Sequence, residues 1–169
     1  GMTMQPKIQT LKEMKVVGLG ANFISILSTD KNNSEVIPKL WDAFIERNGE
    51  IENRKSNSYI DLGVCSSISD PSQRHHPDEC FYMACAEVTS FEGVPEGMIT
   101  KVIPAGNYAI FTHKGNRDKL QHTMNYIYSS WLAKSGTKLR EAPDLEIYDE
   151  RFKFGADDSF GKMRNKRNV

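Results

Sequence analysis

A glutamate inside a short apolar strand is the residue of this sequence best suited to chemistry. The segment 144–151 alternates, so that Leu145 and Ile147 fall on one face of the predicted strand and Glu146 and Tyr148 on the other. A carboxylate beside an aromatic ring at mid-strand is the arrangement expected of a pocket for an apolar, cationic small molecule. The alternative is an edge strand that shows its polar face to water, and the pattern alone leaves both open.

A second candidate acid lies in another apolar strand. Glu87 shares a strand face with Phe81, Met83 and Cys85, which predicts that its side chain can point inward near the end of that strand. The alternative is a carboxylate at the strand terminus, on the surface of the protein. We therefore keep Glu87 as a candidate ligand-binding residue beside Glu146.

Aromatic residues supply the apolar part of the predicted binding surface. Trp41 and Trp131 each lie in the apolar stripe of a predicted helix, where a tryptophan is usually a core residue but can still present one edge to a groove. Tyrosine combines an apolar ring with a polar tip. Four tyrosines are therefore candidates to line the same groove: Tyr59, Tyr82, Tyr108 and Tyr148.

Neither a metal site nor a cofactor is predicted. The cluster His75, His76, Asp78, Glu79 and Cys80 has ligand-type residues, but its spacing matches no standard zinc pattern. The three cysteines show no CxxC spacing, which argues against a disulfide framework and a zinc knuckle. The sequence has no G-x-S-x-G motif and no P-loop, so a hydrolase would have to use Glu146 as its general acid or base.

Composition limits the class of partner. The 169 residues are enough for one domain with an apolar core, and 22 Lys and Arg balance 22 Asp and Glu. A balanced charge argues against an extensive nucleic-acid surface, and no segment resembles a signal peptide or a membrane helix. We expect a cytoplasmic protein without direct nucleic-acid or membrane binding. Gly1 is interpreted as a remnant of tag removal, and exposed strand edges permit a homodimer.

The order of predicted elements positions these residues. Strands over 7–23, 59–66 and 80–89 surround a helix over 34–48, and the same order recurs with a broken strand over 98–113, a helix over 117–134 and a strand over 144–152. This predicts one α+β domain over 2–169, a tandem βαββ repeat with an antiparallel sheet and two helices. The half-repeats are 7–90 and 98–165. A helix with one apolar stripe must pack on a sheet, so two such units leave a central ligand groove between them.

Local signals refine three points of this prediction. Asn32 and Glu35 are spaced for a capping box at the start of the first helix. The Gly18–Gly20 segment is interpreted as a strand rather than a dinucleotide loop, because Phe23 stands where that motif needs its third glycine. The basic tail, 155–169, is predicted to be disordered, with a last short strand near 160–163 as the alternative.

Several segments together resemble a known family. Ile103–Gly115, Ile127–Leu132 and Asp144–Phe152, with Phe81–Val88 and Val94–Met98, are similar to the GyrI-like effector-binding domain found in AraC-type and MerR-type regulators and in free-standing proteins. The stand-alone subgroup that includes integron cassette proteins is the most similar. The resemblance covers about residues 7–152. The tail departs from it, because family members usually end with an apolar strand and a proline.

The resemblance implies a tandem fold with a central pocket whose acidic residue pairs with cationic, lipophilic compounds, and Glu146 occupies that position. The expected function is therefore binding of an amphipathic, cationic, drug-like molecule by a free-standing sensor or sequestering protein, with a link to transcription regulation. Some relatives of this kind are hydrolases, so the first alternative is hydrolysis of reactive small molecules through Glu146. The second alternative is an inhibitor-type module that docks on another protein.

Overall fold

The computed structural model describes residues 7–55, 61–68, 70–114, 143–148 and 162–168. For 111–114, 147–148 and 162–168 the description is of the backbone. The predicted second helix over 117–134 lies outside these residues. Tyr59 and Trp131 lie outside them as well.

The described residues form a mixed α/β structure with one main helix. Helix α1 covers Asn33–Arg47 and leads into a 3-10 turn, Asn48–Glu50; a second 3-10 turn covers Pro71–Gln73. The strands are β1 (Lys7–Leu11), β2 (Met14–Ile24), β3 (Asp61–Ser67), β4 (Glu79–Val88), β5 (Ile99–Ile103), β6 (Gly106–Lys114), β7 (Asp144–Tyr148) and β8 (Lys162–Asn168).

The eight described strands form one sheet in the order β1-β6-β8-β7-β3-β4-β2-β5. Every neighbouring pair is antiparallel, which confirms the predicted antiparallel sheet. The order is symmetrical about the β7–β3 pair, because β6-β8-β7 on one side corresponds to β2-β4-β3 on the other. The two strands of this central pair, β3 and β7, carry Gly63 opposite Glu146.

Two short connections require the sheet to curl. Two residues, Lys12 and Glu13, separate β1 from β2, and Pro104 and Ala105 separate β5 from β6. The strands of each connected pair lie near opposite ends of the strand order. Because two residues span only about 7 Å, the ends of the sheet must approach each other. The predicted break of a long strand at 104–106 is confirmed, whereas the predicted single strand over 7–23 is in fact two.

The inner side of the curled sheet holds one apolar cluster. Alternate residues of β2, β3 and β4 point to this side, and residues of β5, β6 and β7 complete it. Its buried members are Met14, Val16, Leu62, Val64, Met83, Cys85, Ile103, Tyr108 and Leu145. The cluster joins β6 to β2, β3, β4, β5 and β7, and none of these five strands is a neighbour of β6 in the sheet. Packing within the cluster therefore stabilises the curled shape of the sheet.

Helix α1 covers the opposite side of the sheet over β2 and β4. Trp41 and Phe44 are its buried residues and lie edge-to-face with ring centroids 5.8 Å apart. We refer to this as the helix-facing side. Its buried cluster consists of Val17, Phe23, Trp41, Phe44, Ile51, Tyr82, Ala84, Ala86, Val88 and Met98. The predicted apolar stripe of the helix therefore packs on the sheet as expected.

The predicted capping box is wrong. Asn32 is the N-cap residue of α1, but its side chain makes no capping hydrogen bond to the helix. The Asn32 Oδ1 atom instead accepts from the backbone N–H of Ile24, 2.7 Å away. The asparagine thus ties the helix start to the end of β2, because a side-chain acceptor can serve a tertiary contact instead of a local one.

The tail is a strand where disorder was predicted. Over 162–168 the chain forms β8, which pairs with β6 on one side and β7 on the other. The alternative of a strand near 160–163 overlaps only its first two residues. The segment carries four basic residues and one methionine as its apolar residue, so hydrophobic alternation gave no signal for it. Backbone pairing with β6 and β7 stabilises this strand, although its side-chain pattern does not indicate a strand.

Candidate functional site

Glu146 lies in the middle of the sheet, on the helix-facing side. It stands opposite Gly63 of β3 and opposite Asn165 of β8, and its relative exposure is 9%. Its neighbour Leu145 is fully buried in the cluster on the other side. The alternation predicted for this strand is therefore confirmed at these two residues. Water is largely excluded from the carboxylate, so its interactions are stronger than those of a surface acid.

Gly63 opens the space in which Glu146 meets a tyrosine. The glycine is paired in register with Ala84 of β4 and with Glu146 of β7. A methyl group built on Gly63 would overlap the Tyr82 hydroxyl and would lie 2.8 Å from Glu146 Oε1. Two polar groups thus fill the volume that a side chain at position 63 would need. We call Gly63, Tyr82, Glu146 and Trp41 the central cluster.

Trp41 of α1 joins this cluster through a hydrogen bond. Its Nε1–H donates to the Tyr82 hydroxyl over 3.0 Å, and both residues are 2% exposed. Phe23 packs edge-on against the Tyr82 ring at a centroid distance of 6.3 Å. The phenol is thereby held between α1 and the sheet. Tyr82 and Trp41, both predicted as ligand-binding, are brought together with Glu146.

Asp61 is a buried acid that the sequence analysis did not single out. It lies two residues before Gly63 in β3 and is 9% exposed. Arg54 Nη1 is 3.4 Å from its Oδ1, and Asn48 Nδ2 is 3.5 Å from its Oδ2. Burial raises the pKa of Asp61 above its ordinary value, and Arg54 and Asn48 offset part of this increase. The signal available in the sequence was the even spacing of Asp61, Gly63 and Cys65 along one strand.

A third acid, Asp144, is the first residue of β7. Asp144 is half-buried and stands opposite Cys65, two residues before Glu146. Burial raises the pKa of the Cys80 thiol, and the negative charges of Asp78, Asp144 and Glu79 add to the increase. The helix-facing side of β7 therefore carries two acids at adjacent positions of the same face.

Two predicted site residues lie on the other side of the sheet. Tyr108 belongs to the inner cluster, where its hydroxyl donates to the carbonyl oxygen of Pro104 over 2.9 Å. Glu87 stands opposite Val16 of the same cluster, and Lys55 Nζ lies 3.3 Å from its Oε2. The sequence left an inward and a surface position open for Glu87; the side chain is buried, on the opposite side of the sheet from Glu146. These two residues are separated from the central cluster by the sheet.

For three other predicted site residues, Tyr59, Trp131 and Tyr148, the position of the side chain is not described. Tyr148 is the last residue of β7, where its backbone pairs with Asp61. Tyr59 and Trp131 lie outside the described residues, and their placement in the groove stays a prediction.

In the loop with two histidines, His76 Nε2 lies 2.9 Å from Asp30 Oδ2, and the backbone N–H of His75 donates to Glu79. The described part of the chain contains no helix of the length and apolarity that crossing a membrane requires.

The GyrI-like small molecule binding domain family matches residues 4–158. This match covers most of the 169 residues. The chain belongs to this family. The family, and the effector-binding type of domain predicted from the sequence, are thus confirmed.

Two bacterial regulators are similar in sequence. The transcriptional regulator BrlR of Pseudomonas aeruginosa is 36% identical over 119 residues, which are 70% of this chain and 41% of that protein. The probable transcriptional regulator YgiV of Escherichia coli K12 is 34% identical over 85 residues, which are 50% of this chain and 41% of that protein. The chain thus spans less than half of the length of these relatives.

Solved structures share the fold at low sequence identity. The structure of SAV2435 bound to tetraphenylphosphonium has a TM-score of 0.73 at 12% identity, covering 98% of this chain and 94% of that one. An integron cassette protein from Vibrio cholerae has a TM-score of 0.62 at 12% identity, covering 98% and 95%. At these identities the likeness establishes the architecture.

Proposed function

We propose that this domain binds a small, amphipathic organic cation, with Glu146 as the counter-ion. The observation that carries the proposal is a buried carboxylate at mid-sheet, on the same side as the rings of Tyr82 and Trp41. A buried carboxylate favours a cation that brings its own apolar surface, because that ligand excludes water while it supplies charge. Aromatic faces add about 0.5 to 2 kcal/mol of cation–π attraction each.

We propose further that the ligand lies in a central groove between two βαββ halves, 7–90 and 98–165. The symmetrical strand order about β7 and β3 supports this, since Gly63 and Glu146 pair at its centre. The predicted helix over 117–134 would then cover β6 and β8 as α1 covers β2 and β4. The candidate lining residues Tyr59, Trp131 and Tyr148 remain part of this proposal.

The biological role that we propose is that of a sensor or sequestering protein. Membership of a small-molecule binding family supports the binding step, and similarity to transcriptional regulators supports a link to gene regulation. A fold neighbour is bound to tetraphenylphosphonium, a lipophilic cation. That compound is therefore the first probe for this chain.

The test compares Glu146→Gln with Glu87→Gln, a matched change at the buried acid on the other side of the sheet. Calorimetric titration with tetraphenylphosphonium and with neutral triphenylphosphine oxide separates charge from shape. We expect Glu146→Gln to weaken cation binding by about 2 kcal/mol, roughly 30-fold, since it leaves the bound cation without its counter-charge. Binding of the neutral probe should change little, and Glu87→Gln should change neither. Equal weakening for both probes would remove the counter-ion role.

A further inference from the structure

We infer that Tyr82 is a positioning residue for Glu146, part of a relay in which Trp41 donates to the Tyr82 hydroxyl and that hydroxyl donates to the Glu146 carboxylate. The relay's consequence for ligand binding rests on the proposed function. The relay itself belongs to the ligand-free protein and is tested there separately. Gly63 is the third member of the device, because it leaves the space in which phenol and carboxylate meet.

The direction of the hydrogen bonds follows from the chemistry of the groups. An indole N–H can only donate, so the Tyr82 oxygen is the acceptor in its 3.0 Å contact with Trp41. The phenol's own proton then requires a different acceptor. An ionised carboxylate only accepts, so it fits as the next group in the series. The polarity of the relay therefore runs from α1 through β4 to β7.

Distance supports the second step. The Tyr82 hydroxyl and Glu146 Oε1 both lie within 2.8 Å of the position that a Cβ of residue 63 would occupy. The two oxygens thus border the same small volume, the one that a side chain at position 63 would fill. Ala84, the other register neighbour of Gly63, is also small and leaves the space above the strand open. Phe23, edge-on to the Tyr82 ring, and the bond from Trp41 restrict the phenol to this orientation.

A neutral donor affects an acid differently from a basic side chain. A phenol that donates to the carboxylate stabilises its ionised form, but it leaves the negative charge in place for a ligand. The other described acids near Glu146 are Asp61, which Arg54 faces, and Asp144 on the same strand. Negative charge on these two carboxylates would oppose ionisation of Glu146, whereas a hydrogen bond from the Tyr82 phenol would favour it. The relay therefore extends to lower pH the range in which the Glu146 carboxylate is ionised and able to bind a cation.

The first experiment titrates the side-chain carboxyls of the ligand-free protein by carbon-13 NMR, with the Glu146 signal assigned by its loss in Glu146→Gln. Tyr82→Phe should raise the pKa of Glu146 by about one unit, a tenfold change in proton affinity. Tyr108→Phe removes a buried hydroxyl of the same kind from the inner side and should leave that pKa unchanged. Trp41→Phe, which removes the first donor, should raise it by less. An unchanged Glu146 pKa in Tyr82→Phe overturns the relay.

The second experiment measures the affinity for tetraphenylphosphonium, whose charge does not depend on pH, from pH 4 to pH 8. The fall in affinity on the acid side should begin about one unit higher in Tyr82→Phe than in wild type and Tyr108→Phe. The two proposals fail separately. If Glu146→Gln binds the cation as well as wild type, the counter-ion function is lost while an NMR shift still supports the relay. If Glu146→Gln loses binding and Tyr82→Phe shifts neither curve, only the relay is wrong.

Discussion

Replacement of Gly63 by alanine should lower the free energy of unfolding by about 1 to 2 kcal/mol. The new methyl group would overlap the Tyr82 hydroxyl, and it would lie 2.9 Å from Tyr82 Cζ and 2.8 Å from Glu146 Oε1. Overpacking of this kind typically costs about 1 to 3 kcal/mol. The loss of unfolded-state entropy on replacing glycine offsets about 0.4 to 1 kcal/mol of this. For a chain of this size the melting temperature should fall by roughly 2 to 8 °C.

A double-mutant cycle with Tyr82→Phe identifies the atom responsible. Because the hydroxyl is the atom nearest to the built methyl group, its removal should relieve part of the overlap. Gly63→Ala combined with Tyr82→Phe should therefore be less destabilised than the sum of the single variants, measured by urea unfolding. Gly49→Ala is the control, since a methyl group there meets nothing within 4 Å. Strict additivity, or a neutral Gly63→Ala, would refute the close approach of the Tyr82 phenol to position 63.

Two further predictions concern buried titratable groups. Because burial raises the pKa of Asp61 above its unfolded value, this acid contributes stability below the unfolded pKa that is lost as pH rises through the folded one. Asp61→Asn should therefore gain stability relative to wild type between about pH 3 and pH 7 in urea unfolding, and a relative loss with rising pH would contradict this. The Cys85 thiol is fully buried, near the Leu62 carbonyl, and its pKa is raised well above the ordinary value. Peptide mapping after iodoacetamide should find Cys85 unmodified in the folded protein and modified in urea, whereas the half-buried Cys65 reacts in both; equal rates would contradict the burial.

Side-chain periodicity predicted the parts of the fold that depend on burial. The stripe of α1 that contains Trp41 and Phe44 packs on the sheet, and β7 places Leu145 and Glu146 on opposite sides. Both follow from the geometry of a single element, which the local sequence determines. The antiparallel arrangement followed from the order of elements. The predicted second helix over 117–134 lies outside the described residues and stays a prediction.

Relations between elements were harder to predict. Glu87 and Glu146 were both candidate ligand-binding acids, but strand pairing places them on opposite sides of one sheet. Register between strands is a tertiary property, and no local pattern encoded it here. The same applies to β8, whose basic sequence resembles a disordered tail. The sequence did not indicate Gly63 as a site residue, because the glycine contributes only space, which the Tyr82 hydroxyl and the Glu146 carboxylate occupy.

The groups beside a buried acid determine how much of its charge remains for a ligand. Asp61 faces Arg54, and Glu87 faces Lys55, so each has a basic residue of the chain beside it. A basic neighbour neutralises a buried acid and leaves little charge for a ligand. A relay of Trp41 and Tyr82 would add neutral donors to the environment of Glu146. Neutral support is what a cation site requires, because the carboxylate must be held in place while its charge remains for the ligand. The relay and the counter-ion role thus depend on the same negative charge at Glu146.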